Sequence, residues 1–129
     1  MSGPDLINIG LSEAGNDKLD RLKEMGYFAE KMDAYRFAVS LALAQGVIPP
    51  EITKRTTFLN VGSLDPDQTL RRAVEALLND QIEGTTPYRL VERLADWGVT
   101  ELYRQAEQGD INFVGILDQL ASKVGEADH

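Results

Sequence analysis

Residues 6–26 read LINIGLSEAGNDKLDRLKEMG, and the fold turns on how this stretch is read. Ile7, Ile9 and Leu11 alternate with Asn8 and Gly10, with Leu6 flanking them. That period of two puts three apolar side chains on one face of an extended segment. At Ser12 the pattern changes. Ser12 is a natural N-cap, Leu19, Leu22 and Met25 form a helical stripe, and Gly26 suits the C′ position, so a helix is predicted over roughly 13–25. A strand followed by helix alone has no neighbour for its backbone N–H and C=O groups, which need partners when buried. The location of those partners is the central question posed by the sequence.

Outside this stretch the composition is that of an ordinary globular protein: 129 residues, 43% hydrophobic and 26% charged. One domain, or one domain with an appended piece, is expected. The absence of cysteine excludes disulfides, thiolate metal sites and a cysteine nucleophile. The longest apolar run, FAVSLALA at 37–44, is far below the roughly 20 residues of a membrane span. No signal-peptide layout stands at the N-terminus, so a cytoplasmic location without membrane contact is expected. Net charge is −8. Residues 1–50 carry five Lys/Arg against seven Asp/Glu, a net of −2, and residues 51–62 carry two against one, a net of +1. Residues 63–129 carry six against thirteen, a net of −7. Such a chain opposes non-specific contact with nucleic acid, although a local basic patch remains open to it.

A second helix is predicted over roughly 29–45, with Met32, Tyr35, Ala38, Val39, Ala42 and Leu43 on one face and Gly46 closing it. Phe37 and Leu41 lie outside that face, so the helix is apolar nearly all round and calls for burial on several sides, in a core or against another subunit. Pro49-Pro50 stops it, and TTFLNV at 56–61 reads as a short extended segment. Three units follow from this: 1–46, a linker over 47–62, and an acidic helical lobe over 63–129. In that lobe Asp65, Pro66 and Gln68 give a capping box for a helix to about residue 80. Thr86 and Pro87 start another helix, which Gly98 is expected to end. Helices over roughly 100–108 and 112–123 complete the chain, the latter with Phe113, Ile116, Leu117 and Leu120 inward. GEADH, the last five residues, is expected to fray.

Catalytic groupings are hard to assemble. The single histidine is His129, and Ser–His and Cys–His nucleophile pairs are therefore unavailable. HExxH, GxxxxGK[ST] and GxGxxG are all missing. Asp65 and Asp67 serve better as helix caps than as cation ligands. Glu92, Asp96, Arg89 and Arg93, like Glu101 and Arg104, have the spacing of solvent-facing ion pairs. Trp97 and Tyr88 read as packing residues more readily than as a stacking platform. Arg36, in DAYRFA at 33–38, snorkels, pairs with Asp33, or contacts a phosphate or a second subunit. No enzyme, no cofactor and no metal site is expected.

The order INIGLS, NDKLDRLKEMG and DAYRFAVSLALAQG, over residues 6–46, resembles a ribbon-helix-helix unit, with a more distant likeness to DndE-type accessory proteins of DNA phosphorothioation. The resemblance implies a mainly α protein in which two copies pair their N-terminal strands as an antiparallel ribbon that enters the major groove. It implies a homodimer interface of Ile7, Ile9, Leu11, Tyr35, Val39 and Leu43. It also implies DNA contacts from Asn8, Lys18, Arg36, Lys54 and Arg55, and a role as a DNA-associated regulator or DNA-modification accessory protein. At the outward strand positions stand Asn8 and Gly10, so base contact rests on Asn8. Glu30 and Asp33 occupy the start of the second helix, where a phosphate would bind. The alternative expectation is a protein–protein interaction module that binds a partner through its acidic 63–129 lobe, without DNA.

Overall fold

The computed structural model describes residues 5–81 and 84–127. They form β1 (Asn8–Ser12), α1 (Glu13–Glu24), α2 (Lys31–Gln45), β2 (Arg55–Asn60), α3 (Val61–Leu64), α4 (Thr69–Leu77), α5 (Pro87–Glu107) and α6 (Phe113–Ala127), with a single 3₁₀ turn at Asn79–Gln81. The protein is mainly helical with one small antiparallel sheet.

The partner of β1 is β2 of the same chain, with Asn8 opposite Asn60, Leu11 opposite Thr56 and Ser12 opposite Arg55. The register shifts between Ile9 and Gly10, so that Phe58 is an extra residue between Leu59 and Thr57. At Gly10 the strands approach so closely that a Cβ would stand 1.8 Å from the Thr56 carbonyl oxygen, and only glycine fits. TTFLNV at 56–61 is therefore the missing ladder partner, and the expected strand exchange between two copies is replaced by pairing within one.

Packing explains the apolar girth of α2. It lies between α1, α4, α5 and α6. Phe37, outside the main apolar stripe, reaches Phe113 of α6 with ring centroids 5.0 Å apart, and Leu41 is fully buried. One continuous core runs from Ile9 and Leu11 through α2 to Leu94, Leu102 and Ile116, and so draws on both the 1–46 and the 63–129 portions. Ile9, Leu11, Tyr35, Val39 and Leu43, expected between two subunits, are buried inside this core. Ile7 alone of that set is exposed, at 73%.

Three helical expectations need correction. Gly98 does not end a helix: α5 runs unbroken for 21 residues. Its role is close approach, since a Cβ there would lie 2.0 Å from the Ala38 carbonyl oxygen of α2. The helix expected from Pro66 starts at Thr69, because Gln68 adopts a left-handed conformation (φ 60°). Asp65 still serves it as a cap, accepting the N–H groups of Leu70 and Arg71 at 2.9 and 3.0 Å. Leu117 of α6 faces outward, 51% exposed, beside Val114 at 71%. Of the GEADH tail, expected to fray, Gly125 to Ala127 belong to α6, which outruns its expected end near residue 123, and Asp128 and His129 lie outside the described residues.

Candidate functional site

α5 carries the residues that organise the region around β1. Glu92 is 4% exposed and accepts the Gly10 N–H at 2.9 Å through Oε2 and the Arg55 Nε–H at 2.8 Å through Oε1. One turn on, Asp96 Oδ1 accepts the Ser12 N–H at 2.9 Å and the Ser12 hydroxyl at 2.8 Å. Ser12 Oγ in turn accepts the Gly15 N–H at 3.0 Å and caps α1. The Tyr35 hydroxyl donates to the Gly10 carbonyl at 2.9 Å. The edge of β1 that faces away from β2 is thus closed by side chains of α5 and α2. Burial, with the nearby Glu92 and Asp96 charges, pushes the Tyr35 phenol well above its ordinary range and keeps it a donor.

These contacts overturn the expectation that Glu92, Asp96 and Arg93 are surface ion-pair residues. Arg93 donates from Nε to the Pro49 carbonyl at 2.9 Å, with a further contact from Nη2. It thereby holds segment 49–54 alongside α5.

Between that segment and α5 lies a groove of about 350 Å³, lined by Trp97, Thr100, Pro50, Ile52 and Lys54, among others. A second hollow of about 110 Å³ adjoins it, lined by Arg55, Thr85, Arg89 and Glu92. Both share Glu51, Ile52 and Arg93, so they run side by side along one face of α5. Trp97 is half-buried, whereas Lys54 and Arg89 are exposed. Neither cation has a carboxylate partner among the described residues.

The five residues expected at DNA are spread over different roles. Asn8 is exposed at the start of β1, and Lys18 is half-buried on α1. Arg36 donates to the carbonyls of Leu64 at 2.8 Å and Ser63 at 3.2 Å, satisfying the end of α3, with Asp33 at 3.5 Å. Arg55 is held by Glu92 and by the Asn8 carbonyl at 3.3 Å. Lys54 alone of the five lines the groove of Trp97. Trp97, Arg89 and Arg93 complete that surface; their i, i+4, i+8 spacing was the available signal, and its significance depends on where segment 49–54 lies.

Acidic pairs elsewhere act as caps. The Asp65 carboxylate also accepts the Tyr88 hydroxyl at 2.8 Å, and burial, reinforced by that bond, raises the Tyr88 phenol well above its usual value. Asp67 accepts the Thr69 N–H, and hydrogen bonding from the Thr69 side chain and backbone together holds its carboxyl below the ordinary range. Among the described residues no cluster of three or more metal-ligating side chains occurs, and no helix is long and apolar enough to cross a membrane. The chain matches no protein-family model, no curated protein and no solved structure.

Proposed function

We propose that this chain is a non-enzymatic binding module whose ligand surface is the groove between segment 49–54 and α5. One observation carries the reading. Glu92 and Asp96 are engaged in holding β1, while Lys54, in the groove of the half-buried Trp97, and Arg89, in the adjoining hollow, have no carboxylate partner among the described residues. A concave surface with an aromatic wall and a few convergent polar groups is the usual form of a binding site. The test is a fragment screen followed by amide chemical shifts of the intact chain. Shifts concentrated at residues 50–54 and 97–100 support the reading. Binders that map to other faces, or no binders, would remove it.

A second reading keeps the acidic 63–129 portion as the partner surface. It is favoured by Val114 and Leu117, exposed on α6 near the exposed acids Asp110 and Asp118. A captured partner retained by the native chain and lost by a Val114→Ser, Leu117→Ser variant of unchanged melting temperature would favour it over the groove. The ribbon-helix-helix reading, with a DNA-associated dimer, draws no support from the engaged outer edge of β1. Its assay is duplex DNA binding at low salt, where phosphate contacts are strongest.

A further inference from the structure

We infer that the groove takes an extended acidic segment of a partner protein, with a carboxylate on Arg89 and an apolar side chain against Trp97. This rests on the groove being the binding surface, and it adds the chemistry of the occupant and its spacing. Arg89, Arg93 and Trp97 stand at i, i+4 and i+8 of α5 and line the adjoining hollows. At a helical rise of about 1.5 Å per residue, Arg89 and Trp97 are about 12 Å apart along the axis. An extended chain advances about 3.3 Å per residue, so about four residues cover that distance. Four is an even number, and residues i and i+4 of an extended segment point to the same side. A carboxylate and an apolar side chain at that spacing can both face α5.

The charges select the sign of the ligand. Arg89 and Lys54 are exposed cations, one in each of the paired hollows, without carboxylate partners among the described residues. Between them the Arg93 guanidinium is engaged by the Pro49 carbonyl, and Glu51 lies in both hollows. The charges of Arg93 and Glu51 offset each other there, which leaves Arg89 and Lys54 as the cations that attract a carboxylate. The chain as a whole has a net charge of −8. Exposed acids such as Glu13, Asp17, Glu75, Glu107 and Asp118 make most other surfaces repulsive to an acidic ligand. Pro49 and Pro50 supply no backbone N–H, so that part of the opposite wall cannot add the ligand as a strand. Along that part recognition comes from side chains, which makes it dependent on spacing.

Trp97 is the only tryptophan, so its fluorescence reports the groove directly. The probe is a capped, flexible Ser/Gly peptide in which a glutamate and a leucine stand four residues apart. Controls place them two or three apart, or replace the glutamate by glutamine or lysine; a single-stranded oligonucleotide supplies phosphate instead. The four-apart glutamate peptide should shift the Trp97 emission and bind tightest. Arg89→Gln should weaken it about tenfold, as expected for one charge-assisted hydrogen bond. Lys54→Gln should produce a smaller loss. Arg89 is exposed and forms no described bond, so its replacement should leave the melting temperature unchanged and the loss interpretable. Equal binding of the glutamine or lysine peptide, indifference to spacing, or preference for the oligonucleotide would overturn the acidic-segment inference while leaving the groove as a binding surface. Failure of every probe, together with an empty fragment screen, would overturn both.

Discussion

Two stretches of α5 pair glutamate with arginine in similar ways and end in opposite circumstances. In the first, Glu92 is buried, and its two carboxylate oxygens take one bond from the β1 backbone and one from Arg55. In the second, Glu101 and Arg104 pair three residues apart at the surface, and Arg104 also reaches Gln108 at 2.9 Å. The pairing of a glutamate on α5 with an arginine is common to both, although Arg55 comes from β2 and Arg104 from α5 itself. The difference lies in what faces the helix: β1 packs on the first stretch and Arg55 of β2 reaches it, whereas solvent lies over much of the second. A carboxylate facing an unpaired strand edge becomes part of the fold, whereas one facing water adds little to it.

The largest test of this contrast is Glu92→Ala. It leaves the Gly10 N–H buried without an acceptor and Arg55 without its counter-charge. Since the Arg55 side chain keeps 31% of its exposure and can rehydrate, the expected loss is about 2–3 kcal/mol rather than the upper range for buried pairs. Urea unfolding measures it. Glu92→Gln, which keeps an oxygen for Gly10, should lose about half as much. Equal losses for the two variants would show that charge, and not the strand-edge hydrogen bond, dominates.

Next in size is Gly98→Ala, which asks whether the two stretches form one rigid helix fixed on α2. The added Cβ meets the Ala38 carbonyl, a backbone atom that cannot rotate away. The greater helix propensity of alanine is worth about 1 kcal/mol, and overpacking should outweigh it, for a net loss of about 1–2 kcal/mol. A gain in thermal stability would mean that Gly98 is only a tolerated helix residue.

Gly98 also marks the limit of what could be read from the sequence. A glycine after an amphipathic run has the same local signature whether it ends a helix or admits a neighbouring backbone, and only the position of Ala38 distinguishes the two. Elements defined by nearby residues were legible: the Ser12 cap, the proline start of α5, the Gly46 terminus and the extended character of 56–61. The partner of β1 was not, because Gly10 and Thr57 are far apart in sequence and neither carries a distinctive pairing signal. The roles of Glu92 and Asp96 were hidden for the same reason, their partners being Gly10 and Ser12. Of the groove, Lys54 was singled out but Trp97 was assigned to packing, since nothing local places Pro49 to Lys54 beside it.

Tyr35 gives a smaller effect, with a definite sign in pH. Tyr35→Phe leaves the Gly10 carbonyl without its hydroxyl donor, a loss of about 1 kcal/mol near neutrality. The native phenol ionises above the ordinary value of 10.0, which an unfolded tyrosine approaches. A raised folded pKa favours the folded state fully below pH 10 and progressively less as pH rises above it. Unfolding free energies between pH 8 and 11 should therefore fall more steeply for the native chain than for Tyr35→Phe, about 10 being the onset. Tyr88, raised in the same direction, should leave a residual slope in the variant. Parallel curves would locate the alkaline sensitivity elsewhere.

The smallest effect belongs to the exposed stretch and completes the contrast. The Arg104 hydrogen bonds hold the Glu101 carboxyl below its ordinary value of 4.5, so its contribution is present above that pH and is lost as pH falls through the lowered folded value. Its magnitude is limited by solvent, because the Arg104 side chain is 54% exposed and the two residues stand only three apart on one helix. Glu101→Gln should change the stability at pH 7 by less than about 0.5 kcal/mol and leave the acid-unfolding midpoint nearly in place. The informative quantity is the difference between this substitution and Glu92→Gln, the same chemical change on the same helix. If burial against β1 separates the two glutamates, Glu92→Gln must cost measurably more, and raised salt should reduce only the small Glu101 term, because exposed pairs are screened far more than buried ones.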